Sequence, residues 1–177
     1  MGPVVRRPSF RFGVLTLAVV AACGFAAVGL RAYLAPDARP LIPSDDAAMI
    51  ARGQTLYAEQ CAVCHGASGE GQRSRPPGVA ASTPLAPPHD ATGHTWQHPD
   101  YVLVQLTKSG VSDSTCRPIA EGAMPKFERS LGDADILAVL AYIKSIWPAD
   151  IRAQQQAMNA LYAAKNAAVR KLLTLRD

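Results

Sequence analysis

Apolar and polar positions divide this chain into unlike stretches. Phe12 to Leu30 is a run of nineteen residues without a charge. At about 1.5 Å per residue it spans roughly 28 Å, close to a hydrocarbon core of about 30 Å. Leu34 to Pro43 follows as a linker, because Pro36, Pro40 and Pro43 disfavour helix. Helical periods then appear three times. Met49, Gly53, Leu56 and Tyr57 share one side of a predicted helix over 45–60, with Ser44 as its N-cap and Asp45 and Asp46 in the first turn. Val102, Leu103 and Leu106 mark a second helix over 99–109, opened by Pro99 and closed by Gly110. Ile136, Leu137, Val139, Leu140, Ile143 and Ile146 mark a third over 133–146, stopped by Pro148. Beyond Asp150, Ile151, Met158, Leu161, Tyr162, Val169, Leu172 and Leu173 recur at helical spacing among Arg and Lys, which predicts one amphipathic helix. Strand alternation is nearly absent. The pattern predicts an all-α protein: an N-terminal apolar segment over 1–33, a linker over 34–43, one small helical domain over 44–148, and a helical tail over 149–177.

Residues 66 to 95 fit no period and are rich in Gly, Pro and Ser. Thirty such residues count against a compact fold unless they wrap something. Five residues just before them name a candidate: Cys61-Ala62-Val63-Cys64-His65. C-x-x-C-H is the attachment signature of c-type haem. Two thiols must reach two fixed vinyl groups on one rigid macrocycle. The next residue, His65, is then presented to the iron as an axial ligand. Three rival readings exist. A thioredoxin-type redox pair sits near a βαβ pattern, which is missing here. A zinc site wants a second pair at matching spacing, yet Cys23 and Cys116 each stand alone. A Cys61–Cys64 disulfide would close a very tight loop. There is one C-x-x-C-H and no internal repeat, so one covalent haem c with its iron is expected.

The ends of the chain decide the compartment. Arg6, Arg7 and Arg11 precede the apolar run and Arg31 follows it. That asymmetry puts the N-terminus on the cytoplasmic side and everything from about Tyr33 onward on the exported side, facing a bacterial periplasm. Covalent haem attachment belongs on that side too. Three readings of the run compete. It is an uncleaved transmembrane helix anchoring the protein in the inner membrane, or a lipoprotein signal whose box Val20-Ala21-Ala22-Cys23 acylates Cys23, or a cleaved signal peptide. The apolar continuation from Gly24 to Leu30 favours the anchor.

The overall charge of +4 and pI of about 9.0 mislead if read globally. Residues 1–31 carry four arginines and no acid. Residues 32–150 carry nine basic and thirteen acidic residues, a balance of −4. Residues 151–177 carry five basic residues and one acid, a balance of +4. The basic N-terminus is orientation chemistry and the central domain is acidic, so nucleic-acid binding is excluded as a reading of this pI.

With Cys61-Ala-Val-Cys64-His65, Met124-Pro125 and the last-helix sequence Val139-Leu140-Ala141-Tyr142-Ile143 in view, the chain resembles a membrane-anchored class I (mono-haem) cytochrome c over residues 44–148. The resemblance implies the class I cytochrome c fold around one covalent haem. It implies Met124, in Gly122-Ala123-Met124-Pro125-Lys126-Phe127 before the last helix, as the sixth ligand opposite His65. A thioether favours ferrous iron and raises the potential. Met49 and Met158 read as packing residues, and His89, His94 and His98 stand as bis-histidine alternatives. The resemblance places Gly53, Tyr57, Val139 and Tyr142 at the crossing of first and last helices. It implies a proline carbonyl accepting from the haem histidine, with Pro76, Pro77, Pro87 and Pro88 as candidates.

The segment from Pro87 to Asp100 looks like a subgroup of bacterial anchored cytochromes c. Trp96 there is either core or a partner of the haem edge or a propionate, and its histidines read as solvated. Cys116 is either buried or a free thiol. The tail packs on the domain, docks a partner subunit, or lies on an anionic membrane.

A haem filled on both faces leaves one-electron exchange as its chemistry. The expected function is a tethered electron carrier between respiratory complexes, not an enzyme. The alternatives are an electron-transfer subunit of a membrane dehydrogenase or terminal oxidase, and a haem enzyme or sensor with an open site, against which Met124 argues.

Overall fold

In a computed structural model, residues 39–75, 77–81, 83–110 and 124–174 are described, together with Gly2. The expected apolar anchor at 12–30 with Cys23, the segment 111–123 with Cys116, and Pro76 lie outside the described residues. Among the described residues, no helix is long and apolar enough to cross a membrane. The chain divides into two units at Pro36, and the second, Asp37–Asp177, carries every element below.

That unit is built from helices. They are α1 (Ala47–Gln60), α2 (Ala62–His65), α3 (Asp100–Ser109), α4 (Asp133–Ser145), α5 (Ala149–Leu161) and α6 (Ala163–Thr174), with 3₁₀ turns at Thr95–Gln97 and Phe127–Arg129. The described residues contain no strand. The helix α1 begins two residues later than the periodicity predicts. Asp46, not Ser44, is the N-cap, and its carboxylate accepts from the Met49 amide at 3.0 Å. A carboxylate at that position satisfies one of the orphan first-turn amides.

The helices α1 and α4 form the centre of the domain, and one residue sets their approach. A β-carbon on Gly53 would lie 1.9 Å from the Ala138 carbonyl oxygen, so no larger residue fits without separating the helices. One turn on, the Tyr57 and Tyr142 rings pack at 5.2 Å. The crossing expected from Gly53, Tyr57, Val139 and Tyr142 is therefore where the structure has it. Ile136, Val139, Leu140 and Ile143 of α4 are buried with Tyr57, Leu103 and Val104. The segment before Ser44 joins this core as well: Ile42 is fully buried and Leu41 nearly so.

The tail packs against the same domain, but not as one helix and not chiefly by its apolar stripe. It breaks at Tyr162, where the amide turns back to the Asn159 carbonyl in a tight i→i−3 bond. Leu173 is buried, and Ile151 and Val169 touch the core. Leu161 and Leu172 instead face outward, 79% and 62% exposed.

Polar side chains fix the tail's position. The helix α3 starts at Pro99, whose side chain cannot cap it, so Pro99 is the N-cap residue and not the first helical one. The side-chain carbonyls of Asn159 and Asn166 accept from the Asp100 and Tyr101 amides at 2.7 and 2.9 Å. The tail thus caps another helix from a distance of some sixty residues in sequence. Between them, the fully buried Asp100 carboxylate accepts from Lys144 Nζ at 2.7 Å, Gln155 Nε2 at 2.7 Å and the Ile42 amide at 3.2 Å. This cluster joins α3, α4, α5 and the segment before α1.

Candidate haem-attachment site

The site grows from the end of α1. Cys61 ends that helix, and a single turn, α2, carries the chain to His65. Cys61 is half-buried, Cys64 is exposed, and both are free thiols. The tight disulfide is therefore not formed. Burial, reinforced by the neighbouring Cys64, pushes the Cys61 thiol up to about 11. Val63, between the two cysteines, is 83% exposed, so this turn presents itself at the surface while His65 points inward at 7% exposure.

His65 is oriented by the loop that follows. Its Nδ1 lies 2.9 Å from the Pro87 carbonyl oxygen. That oxygen only accepts, so Nδ1 carries the proton and donates, which leaves the Nε2 lone pair free for a metal. Among the candidate prolines, Pro87 fills the role. Burial holds the imidazole below its usual range, opposed by this hydrogen bond. Behind the turn, the Tyr57 hydroxyl donates to the Gly66 carbonyl at 2.9 Å.

The described residues of the loop from 66 to 95 are tied together by hydrogen bonds of their own. The Gly71 amide donates to the His65 carbonyl at 2.7 Å, and the His89 and Asp90 amides both donate to Gly69. Gly71 has a φ of +73°, and a β-carbon there would sit 2.7 Å from Pro88 N, so glycine is required where the loop doubles back. In the same loop Arg75 leaves its Nε buried without a hydrogen-bond partner among the described residues.

The histidines of this loop are not all solvated, as the sequence suggests. His94 is exposed and meets His98 edge-on at 5.5 Å. His89 is partly buried and its ring stacks on that of His65, with centroids 3.9 Å apart and planes inclined by 22°. Its Nδ1 lies 2.9 Å from Thr95 Oγ1, and its carbonyl accepts from Trp147 Nε1 at 2.7 Å. Burial, then the charges of His65 and His94, push His89 down to about 3. In this arrangement the two rings stack face to face, so His89 lies beside His65 and not across a gap from it. Trp96 packs against the core and donates to the Gly93 carbonyl at 3.0 Å, which is the core role.

Cys61, Cys64 and His65 thus stand together on one turn. Met124 is on a separate segment beside the C-terminal end of α3, where a β-carbon on Gly110 would come within 3.1 Å of its carbonyl. Among the described residues no group of three or more His, Cys, Asp or Glu is arranged to hold a metal ion, so the zinc reading finds no second set of ligands. The residues present fit a covalent haem. They supply two free thiols at the right spacing, an adjacent histidine with Nε2 free, and a buried cationic Arg75 nitrogen that an acidic propionate would satisfy. Thr95 and Trp147 are the parts of this site that sequence reasoning missed, and His89, read there as solvated or as an alternative ligand, is instead stacked on His65. The one signal for that placement was that His89 follows the candidate prolines Pro87 and Pro88 directly.

The fold and the site define a small helical domain for covalent haem. Comparison with known proteins gives the family: the cytochrome c family model matches residues 50–147, and the chain belongs to that family. The chain is 31% identical over 155 residues to a nicotinate dehydrogenase subunit of Pseudomonas putida, covering 82% of this chain and 13% of that protein. It is 30% identical over 104 residues to CcoP, a subunit of the cbb3-type cytochrome c oxidase of Azospirillum brasilense, covering 58% of this chain and 30% of that protein. The chain therefore matches only a minor part of each relative's length. No solved structure matches significantly. Membership of this family means a covalently bound haem c with its iron and an electron-transfer role for the matched domain.

Proposed function

We propose that this chain is a one-electron carrier whose haem c is ligated by His65 and Met124 and is held on the exported face of a bacterial membrane by the apolar segment at 12–30. The observation that carries the reading is the turn Cys61–His65 with His65 Nδ1 bonded to Pro87, because it fixes the tautomer a metal ligand needs. Bound there, the haem supplies reversible one-electron chemistry at iron. The protein's part is to attach it, orient His65 and keep water from that imidazole. Met124 would supply a soft sulfur ligand to the iron, which would raise the potential. The carrier exchanges electrons with respiratory complexes in that membrane.

A second reading has a specific basis. Both curated relatives are named as subunits of larger oxidoreductases, a dehydrogenase and an oxidase. This chain would then be the electron-transfer subunit or domain of such a complex. Gln155, Asn159 and Asn166 are used within the domain, and the outward Leu161 and Leu172 give the tail apolar surface that a catalytic partner could cover. Co-purification of a catalytic subunit with the full chain, lost on Leu161→Glu/Leu172→Glu, supports this second reading. A monodisperse haem protein from gently solubilised membranes supports the first.

Met124→Ala tests the ligation. The haem should remain attached, the potential should fall, and the ferrous protein should bind carbon monoxide. An unchanged potential with no carbon monoxide binding would show that Met124 is not the ligand.

A further inference from the structure

We infer that His89 is a positioning residue for His65: its stacked ring sets the plane in which the His65 imidazole is presented to iron. The inference rests on the proposed ligation by His65. The hydrogen bond from Nδ1 to Pro87 holds the imidazole at one point on its edge. One edge contact leaves the ring free to rock about its bond to the β-carbon. A contact across the ring face removes that freedom, and the His89 ring supplies it at 3.9 Å with planes 22° apart.

His89 is itself fixed at three points. Its amide donates to the Gly69 carbonyl at 2.7 Å. Its carbonyl accepts from Trp147 Nε1 at 2.7 Å, and Trp147 is buried to 1% exposure between α4 and α5. Its Nδ1 pairs with Thr95 Oγ1 at 2.9 Å, while the Thr95 hydroxyl is placed to donate to the Pro88 carbonyl at 3.4 Å. In that arrangement Nδ1–H of His89 donates to Thr95. The segment just after α4 is thus tied to the backbone at residue 89, and Thr95 is tied to the ring that stacks on His65. Two of these bonds fix the backbone at residue 89, and the bond from Nδ1 to Thr95 then fixes the ring that this backbone carries.

The plane of an axial imidazole decides how its π orbitals meet the iron d orbitals, so it is read in the ferric g-tensor. The test is electron paramagnetic resonance of the full-length ferric holoprotein, with His89→Ala, His89→Phe and Thr95→Val compared to wild type. In His89→Ala the covalent haem and low-spin state should persist while the signal broadens and its g values shift. His89→Phe, which keeps a flat ring in place, should restore most of the wild-type line. Thr95→Val should give a smaller change in the same sense. Superimposable spectra of wild type and His89→Ala, in a low-spin wild type, overturn the role of the stack and leave His65 as ligand. If His89→Ala yields no holoprotein, Thr95→Val decides: an unchanged signal overturns the inference and a broadened one supports it. A wild-type signal that is not low-spin overturns the ligation itself, and the role of His89 with it.

Discussion

Asp100→Ala is expected to destabilise the folded domain by about 3–5 kcal/mol, measured by equilibrium denaturation of the holoprotein. The carboxylate is fully buried and Lys144 is 5% exposed, so removing one partner leaves an ammonium group without its counter-charge in the core. Gln155 Nε2 and the Ile42 amide lose an acceptor at the same time. Each buried group left unsatisfied costs on the order of 1–3 kcal/mol, and these costs overlap within one network. The double variant Asp100→Leu/Lys144→Met should recover a good part of the loss, because a buried pair replaced by apolar groups removes both desolvation costs. A loss below about 1 kcal/mol for Asp100→Ala would mean that the pair is wet and contributes as surface pairs do. The surface pair Arg52–Asp135, with the arginine 63% exposed, provides the internal contrast: Arg52→Ala should change stability by about 1 kcal/mol or less.

Cys64→Ser is the second large effect, and it acts on cofactor retention. One thioether remains available through Cys61, but Cys61 is half-buried with a raised thiol, whereas Cys64 is the exposed member of the pair. Intact-mass measurement of the purified chain should show the haem adduct as the main species in wild type and only a minor one in the variant. If the loop from 66 to 95 wraps the cofactor, as its Gly- and Pro-rich, aperiodic sequence predicts, the variant should also be more readily cleaved within that loop. A variant carrying the full adduct would show that attachment does not depend on Cys64.

The two effects lie on opposite sides of what the sequence discloses. Attachment is legible because C-x-x-C-H is a local pattern imposed by a rigid macrocycle. The crossing of α1 and α4 is legible through the family resemblance, which places Gly53, Tyr57, Val139 and Tyr142 there. The cluster around Asp100 is not. Gln155, Asn159 and Asn166 read as the solvent face of an amphipathic tail, because apolar periodicity reports hydrophobic burial and nothing else. Their burial depends on α3 opening with a proline that cannot cap it, which is a fact about a partner some sixty residues away. The same periodicity puts Leu161 and Leu172 on the inner face, whereas both are exposed, one on each side of the break at Tyr162. His89 is hidden for a related cause. A histidine in a Pro- and Gly-rich loop looks solvated until the loop's return to Gly69 and the position of Trp147 are known. Likewise the choice of Pro87 over its neighbours is made by the path of the backbone.

The proposed carrier stands or falls on Met124 and His65 holding a covalent haem between them. The near-red absorption spectrum of the ferric full-length protein reports on this directly, because a sulfur-to-iron charge-transfer band arises only when a thioether is on the iron. The band should be present in wild type and absent in Met124→Ala. A ferric wild-type protein without the band, or a Met124→Ala variant that keeps it, would contradict the proposed ligation.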